Sequence, residues 1–209
     1  MKVVVFGASG RVGSRVVELL LAQGHEVLAV VHSHDIFQGT PHLHVRQFDI
    51  HDEVKVAEVI DGSQAVLSCL SSWKSKSGDV LSSAMRAIVP AMKKHGVQRL
   101  VSLTGTGALT PDDNPTLSQR AGHDMMATVA PKVLADGETH MEILKASKLD
   151  WTVLRSPNMN SHGAKGYHLS AELPNNPFTT VHRQAVAQAM VDQLEDTKWA
   201  RKTPTLWRG

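Results

Sequence analysis

The segment Val3-Val4-Val5-Phe6-Gly7-Ala8-Ser9-Gly10-Arg11-Val12-Gly13 constrains the fold more than any other part of the chain. Four apolar residues lead into three glycines spaced G-x-x-G-x-x-G, and an amphipathic run follows. A continuous β-branched run reads as a buried parallel strand. The first glycine permits a tight turn, and the second lets the backbone approach a ligand. The third lets the following helix pack closely on the strand. The N–H groups opening that helix have no partner within it, so they suit an anion such as a pyrophosphate. A glycine triplet alone is a weak signal. The strand before it and the helix after it supply the context that the motif requires.

The rest of the chain alternates strand and helix. A helix is expected over 11–23, with Val12, Val16, Leu19 and Leu20 on one face and Gly24 as its stop. Strands are expected over 26–31, 44–48, 65–70, 98–103 and 151–154, with a closing strand over 203–207. Helices are expected over 54–60, 79–95, 121–135, 137–147 and 183–194. Pro90 should kink its helix, and Pro131 should separate or kink the next two. Residues 111–119 read as a polar lid or surface loop. Residues 158–177 read as a substrate-side loop region with one short strand. This alternation predicts an α/β fold: a Rossmann-type doubly wound parallel sheet in three αβα layers. One domain is expected over 1–209, with 158–209 supplying the substrate-side loops and the last helix.

Composition narrows the function classes. The chain has 209 residues and a net charge of +2, and its charges are interspersed. Nothing there calls for a nucleic-acid or membrane partner. No apolar run approaches the length of a membrane span. The chain enters its first strand with no charged leader, so a cytoplasmic location is expected. Cys69 is the one cysteine, which leaves no intrachain disulfide and no thiolate metal site. With no paired base in view, Cys69 reads as a small apolar filler.

The second strand ends in His32-Ser33-His34. An acid at this tip would hold the ribose hydroxyls of NAD, and an arginine would favour the 2′-phosphate of NADP. The tip carries no acid, and Arg11 lies in the glycine turn. Both points favour NADP, with NAD as the alternative; Asp35, a few residues on, counts against them. Asp49, after the third strand, is placed to accept from an adenine amine, or to cap a helix as Asp52 would. His32, His34, His42, His44 and His51 lack carboxylate or cysteine companions at familiar ligand spacings. They read as surface histidines around an adenosine pocket, and no metal is expected. Two further loops, Ser68-Cys69-Leu70-Ser71-Ser72-Trp73 and Thr104-Gly105-Thr106-Gly107, follow strands at the carboxyl edge, where open α/β sheets bind ligands.

Four segments carry a resemblance: 7–13, 48–50, 91–101 (AMKKHGVQRLV) and 149–157 (LDWTVLRSP). Together they resemble atypical short-chain dehydrogenase/reductases, in the NAD(P)H-binding group that includes NmrA-like proteins and biliverdin reductase B/flavin reductase. The resemblance runs from residue 1 to about 195. It implies that Gly7, Ser9, Gly10, Arg11 and Val12 hold the pyrophosphate and 2′-phosphate. It implies His32 and Ser33 near the adenosine ribose, and Asp49 and Ile50 at the adenine. Cys69, Leu70 and Ser71 would line the nicotinamide ribose. Leu103 and Thr104 would sit at the nicotinamide, with Pro157 and Asn158 at its amide. In these relatives an arginine often follows the second strand; here His32 stands there, so Arg11 carries more of the NADP preference.

The chemistry departs from the usual pattern. Typical members use a Tyr-x-x-x-Lys pair on the helix before the sixth strand, where Lys lowers the Tyr pKa for proton exchange. Those positions fall near Leu134 and Glu138. Tyr167, the one tyrosine, comes after the sixth strand and has no Lys four residues on. The flavin and biliverdin reductase relatives imply another route: direct hydride transfer to an acceptor stacked on the nicotinamide, with protonation from solvent. Thr104 and Thr106 are placed to hydrogen-bond an acceptor. His123 and His140 are proton-donor candidates by type. Trp73 and Met125-Met126 read as an apolar wall or as plain packing.

The expected function is an NAD(P)H-dependent reductase of a flat conjugated small molecule such as a flavin, quinone or biliverdin, working as a monomer or homodimer. An NmrA-like NADP(H) sensor that regulates a protein partner is the rival. An epimerase or dehydratase on a nucleotide-linked substrate is a weaker one.

Overall fold

The computed structural model describes residues 1–33, 36–37, 40–73 and 75–209. His34 and Asp35 lie outside the described residues. The elements run β1 (Lys2–Phe6), α1 (Gly13–Ala22), β2 (Glu26–Val31), β3 (Leu43–Gln47), α2 (Glu53–Ile60), β4 (Ala65–Ser68), α3 (Val80–Lys94) and β5 (Arg99–Gly105). They continue with α4 (Leu117–Val129), α5 (Pro131–Ala146), β6 (Asp150–Ser156), β7 (Asn158–Asn160), β8 (Tyr167–Ser170), β9 (Thr180–His182), α6 (Arg183–Asp192) and β10 (Thr205–Arg208).

The main sheet has the order β3-β2-β1-β4-β5-β6-β10-β8. Strands β3 to β10 run parallel, and β8 closes the edge antiparallel to β10. The chain winds outward from β1 in one direction and from β4 in the other. The switch point therefore falls between β1 and β4, which places a ligand crevice at their carboxyl ends. Alternate residues of β1 explain the layers. Val3 and Val5 face a core with α1 and α6, while Val4 and Phe6 face a core with α2, α3 and α5. A strand buried on both faces has to be apolar at every position.

Several local outcomes follow from backbone chemistry. Pro131 opens α5, where its missing N–H costs nothing. α3 continues through Pro90, which lies on the exposed side. α4 begins at Leu117, earlier than expected, because Thr116 and Gln119 form a capping box. The segment before it is pinned. Asp113 accepts from the N–H and hydroxyl of Thr110, and pairs at 2.7 Å with Arg155, which is 2% exposed. Residues 158–177, expected to hold one short strand, hold two, β7 and β8; β7 pairs in a separate two-stranded ribbon with β9, which lies outside every expected strand.

Candidate cofactor and acceptor cleft

The turn after β1 is held by its own backbone. Ala8 N–H donates to the Val30 carbonyl at 3.1 Å, and Gly10 N–H donates to the Gly7 carbonyl at 3.0 Å. Gly7 sits at φ +72°, a left-handed value that favours glycine. Gly13 is required for a different reason. A Cβ there would lie 2.2 Å from the Gly7 carbonyl oxygen. α1 thus starts in direct contact with the turn. No side chain caps its N-terminus, and no acid occupies its first turn. Arg11 is exposed beside it. Uncapped N–H groups, the positive end of the helix dipole and an arginine converge where a pyrophosphate would lie.

The turn borders a cleft of about 740 Å³ at the carboxyl edge of the sheet. Gly10, Arg11 and Val12 form one side. Cys69, Leu70 and Ser71 enter from the end of β4, Leu103 and Thr104 from β5, and Pro157 and Asn158 from the end of β6. Ten of the expected cofactor residues therefore share one wall, and Gly7 and Ser9 lie within the turn behind it. His32, Ser33, Asp49 and Ile50 are not on this wall; they sit at the ends of β2 and β3. There His32 Nε2 is 3.3 Å from Asp49. The His51 N–H and ring Nδ1 reach Asp49 at 3.0 and 2.6 Å. These bonds, led by the backbone one, hold the Asp49 carboxyl below its ordinary value.

The rest of the cleft is largely apolar, with Ser118, Gln119 and His123 among its lining. Trp73, Met125 and Phe178 are exposed at its rim, at 58%, 40% and 71%. Met126, Leu134 and Leu173 also line it. Among the described residues the lining holds no carboxylate; its charged chains are Arg11 and Arg183, with His123 beside them. Arg183 is anchored by the Met159 carbonyl at 2.7 Å and the Ser161 hydroxyl at 2.9 Å. Burial, then the nearby Arg11 and Arg15, depress its pKa.

The three catalytic candidates separate. Thr104 lies on the cleft wall, close under α5: a Cβ on Gly137 would fall 2.6 Å from its hydroxyl. His123 also lines the cleft. His140 lies elsewhere, with no exposure, on the inner face of α5, and its Nε2 meets the Ser102 hydroxyl at 2.7 Å. Desolvation pushes its pKa down to about 4. Tyr167 is on β8 with its hydroxyl bonded to Asp192, and burial is the main cause raising its pKa. Cys69 is buried with its Sγ toward Met190 Sδ at 3.8 Å, and desolvation raises the thiol to about 12. Sequence reasoning missed Asp136, Glu138, Arg183 and Phe178. Asp136 is 4% exposed and accepts from the Leu81 and Ser82 N–H groups at 2.9 and 2.8 Å, and from the Ser72 hydroxyl. It caps α3 from α5 and fixes the loop that forms the cleft floor.

Residues 7–197 match the model of a family described as NAD(P)H-binding, and the chain belongs to that family. The fold recurs in solved structures. A short-chain dehydrogenase/reductase from Veillonella parvula DSM 2008, in complex with NADP, matches with a TM-score of 0.81 at 16% identity, over 99% of this chain and 94% of that one. ChuY, an anaerobillin reductase from Escherichia coli O157:H7, matches at 0.79 and 22% identity, over 100% and 97%. A putative NAD-dependent epimerase/dehydratase from Bacillus halodurans matches at 0.77 and 19%, over 100% and 94%. At these identities the likeness concerns the fold. The cradle itself fits the cofactor: a close glycine contact, a helix start with no side-chain cap, and Arg11 exposed beside it. Among the described residues no helix is long and apolar enough to cross a membrane.

Proposed function

We propose that the protein is an NAD(P)H-dependent reductase that passes hydride to a flat conjugated small molecule of flavin, quinone or biliverdin type, without a Tyr–Lys dyad. The observation that carries this is the composition of the cleft. One half is the glycine-turn cradle. The other is a largely apolar slot edged by Trp73, Met125 and Phe178, with Leu134 in its lining. When bound, the cofactor supplies the hydride. The protein's part is orientation and exclusion of water. Thr104 would hold the acceptor or the nicotinamide amide at the junction of the two halves, and residues 158–209 would form the acceptor-side wall. The reductase ChuY and the NADP-bound Veillonella protein, which share the fold, support this reading.

NADP(H) is the preferred form on this account. Arg11 borders the cleft close to Arg15 and Arg183, and the ion-paired arginines among the described residues are Arg99 and Arg155 instead. His32 and Ser33, at the tip of β2, are not acidic. Calorimetry showing NAD bound as tightly as NADP would overturn the preference. The reductase reading is tested by NADPH oxidation with FMN, a quinone and biliverdin offered separately, after subtraction of the protein-free rate. Turnover on one of them is the expected result. Tight NADPH binding with no turnover on any would overturn it in favour of a sensor.

A further inference from the structure

Leu134 and Glu138 of α5 lie near the positions where the sequence reading expects a Tyr–Lys dyad. Leu134 gives the cleft an apolar wall, and Glu138, one turn on, brings a carboxylate instead of an ammonium. His123 reaches it from the neighbouring helix α4, with Nε2 3.1 Å from Glu138 Oε1. The same carboxylate oxygen accepts the Leu109 N–H at 3.1 Å, which ties Glu138 to the loop after β5. The second ring nitrogen of His123, Nδ1, is 3.2 Å from Asp124 Oδ1. Ionised carboxylates only accept, so each ring nitrogen needs a hydrogen to bond there. The two contacts differ in setting. His123 and Glu138 are 27% and 31% exposed, whereas Asp124 is 80% exposed. A contact that open to water is exchanged at little cost. The cleft loops over 105–110 and 173–178 bring no ionisable side chain to the ring.

We infer that His123 is the proton donor of the cleft and that Glu138 is its positioning residue, a His–Glu pair standing in the place of the dyad. The inference rests on the reductase reading above. The acceptor gains two electrons and one hydrogen as hydride, and NAD(P)H becomes NAD(P)⁺. The negative charge left on an acceptor oxygen or nitrogen takes the proton from Nδ1. That N–H bond breaks, and its electron pair stays on the ring. Nε2–H remains on Glu138, which keeps the ring in one orientation, as carboxylates do for catalytic histidines elsewhere. Water at the exposed Asp124 side returns the proton. His140 cannot serve, because it is sealed behind β5.

The test compares two acceptors. A quinone needs a proton after hydride transfer; N-methylacridinium takes hydride and needs none. His123→Gln should lower kcat for the quinone by about a hundredfold or more, the usual scale of general-acid catalysis. Glu138→Gln keeps an oxygen for Leu109 but removes the charge, and should lower kcat by about tenfold with the quinone KM unchanged. In both variants the N-methylacridinium rate should fall far less than the quinone rate, since that acceptor uses no proton. The ¹⁵N resonance of His123 Nε2 should move in Glu138→Gln, with or without turnover. Equal losses on both acceptors would make the pair structural and overturn the donor role. An unmoved Nε2 resonance would overturn the positioning role. A wild-type protein that reduces neither acceptor would overturn the reductase reading and the donor role together, while the resonance still decides whether Glu138 holds the ring.

Discussion

Replacing Gly13 with alanine should damage both stability and cofactor binding. The added Cβ would lie 2.2 Å from the Gly7 carbonyl oxygen and 2.9 Å from Ala8 Cα. Ordinary carbon–oxygen contacts are about 3.3 Å or longer, so the overlap is about 1 Å. Both obstructing atoms are backbone, held in place by the turn's own hydrogen bonds. α1 must therefore retreat, and Val16, Val17 and Leu20, buried to within 1%, retreat with it. Overpacking of this kind costs about 1–3 kcal/mol, and a rigid backbone obstacle puts it near the top of that range. At about 2–4 °C per kcal/mol for a chain of this size, Tm should fall by about 6–12 °C. Calorimetry should show weaker NADPH binding, since the N–H groups of α1 move with the helix. Gly24→Ala is the control. Its φ is +78° with nothing within 4 Å, so it should cost only the left-handed strain of about 1–2 kcal/mol and leave binding intact. A Gly13→Ala protein that melts with wild type and binds NADPH equally well would refute the close approach of α1 to the turn.

Asp136→Ala should lower the unfolding free energy by about 2–5 kcal/mol in urea titrations, because it strands two buried N–H groups and a hydroxyl. His140 links stability to pH. Its folded pKa, about 4, lies below the ordinary 6.5, so the unfolded chain takes up its proton first as pH falls. Stability should drop between those two values, by up to about 3 kcal/mol; a flat profile in urea titrations across this window would contradict the burial. Cys69 should resist iodoacetamide at pH 8 in the native protein and react once unfolded, because its thiol is raised to about 12.

The glycine cradle was legible in the sequence because its constraint is steric and local. Gly7, Gly10 and Gly13 act through a backbone that three neighbouring positions determine. β2 was legible for a similar reason, as an unbroken apolar run ended by polar residues. The start of α4 was written in Thr116 and Gln119, but proline and polar residues around them masked the capping box. The pairing of β7 with β9 was not legible. Each is three residues long, and their pairing joins segments about twenty residues apart with no alternating pattern in either. The inward position of His140 did leave a signal: Gly137, His140, Met141 and Leu144 recur at helical spacing on the buried face of α5. The meeting of His123 with Glu138 left none, since it depends on how α4 packs against α5, two helices that proline separates.

The most direct test of the reductase account follows the hydrogen itself. NADPH carrying deuterium at one face of nicotinamide C4 is mixed with the protein and a quinone, and cofactor oxidation is followed through a single turnover. Direct hydride transfer in the cleft predicts slower oxidation for one stereoisomer only, with deuterium lost from the cofactor in that isomer and retained in the other. Oxidation that ignores the label, or NADPH that stays bound and unreacted with every acceptor, would contradict it.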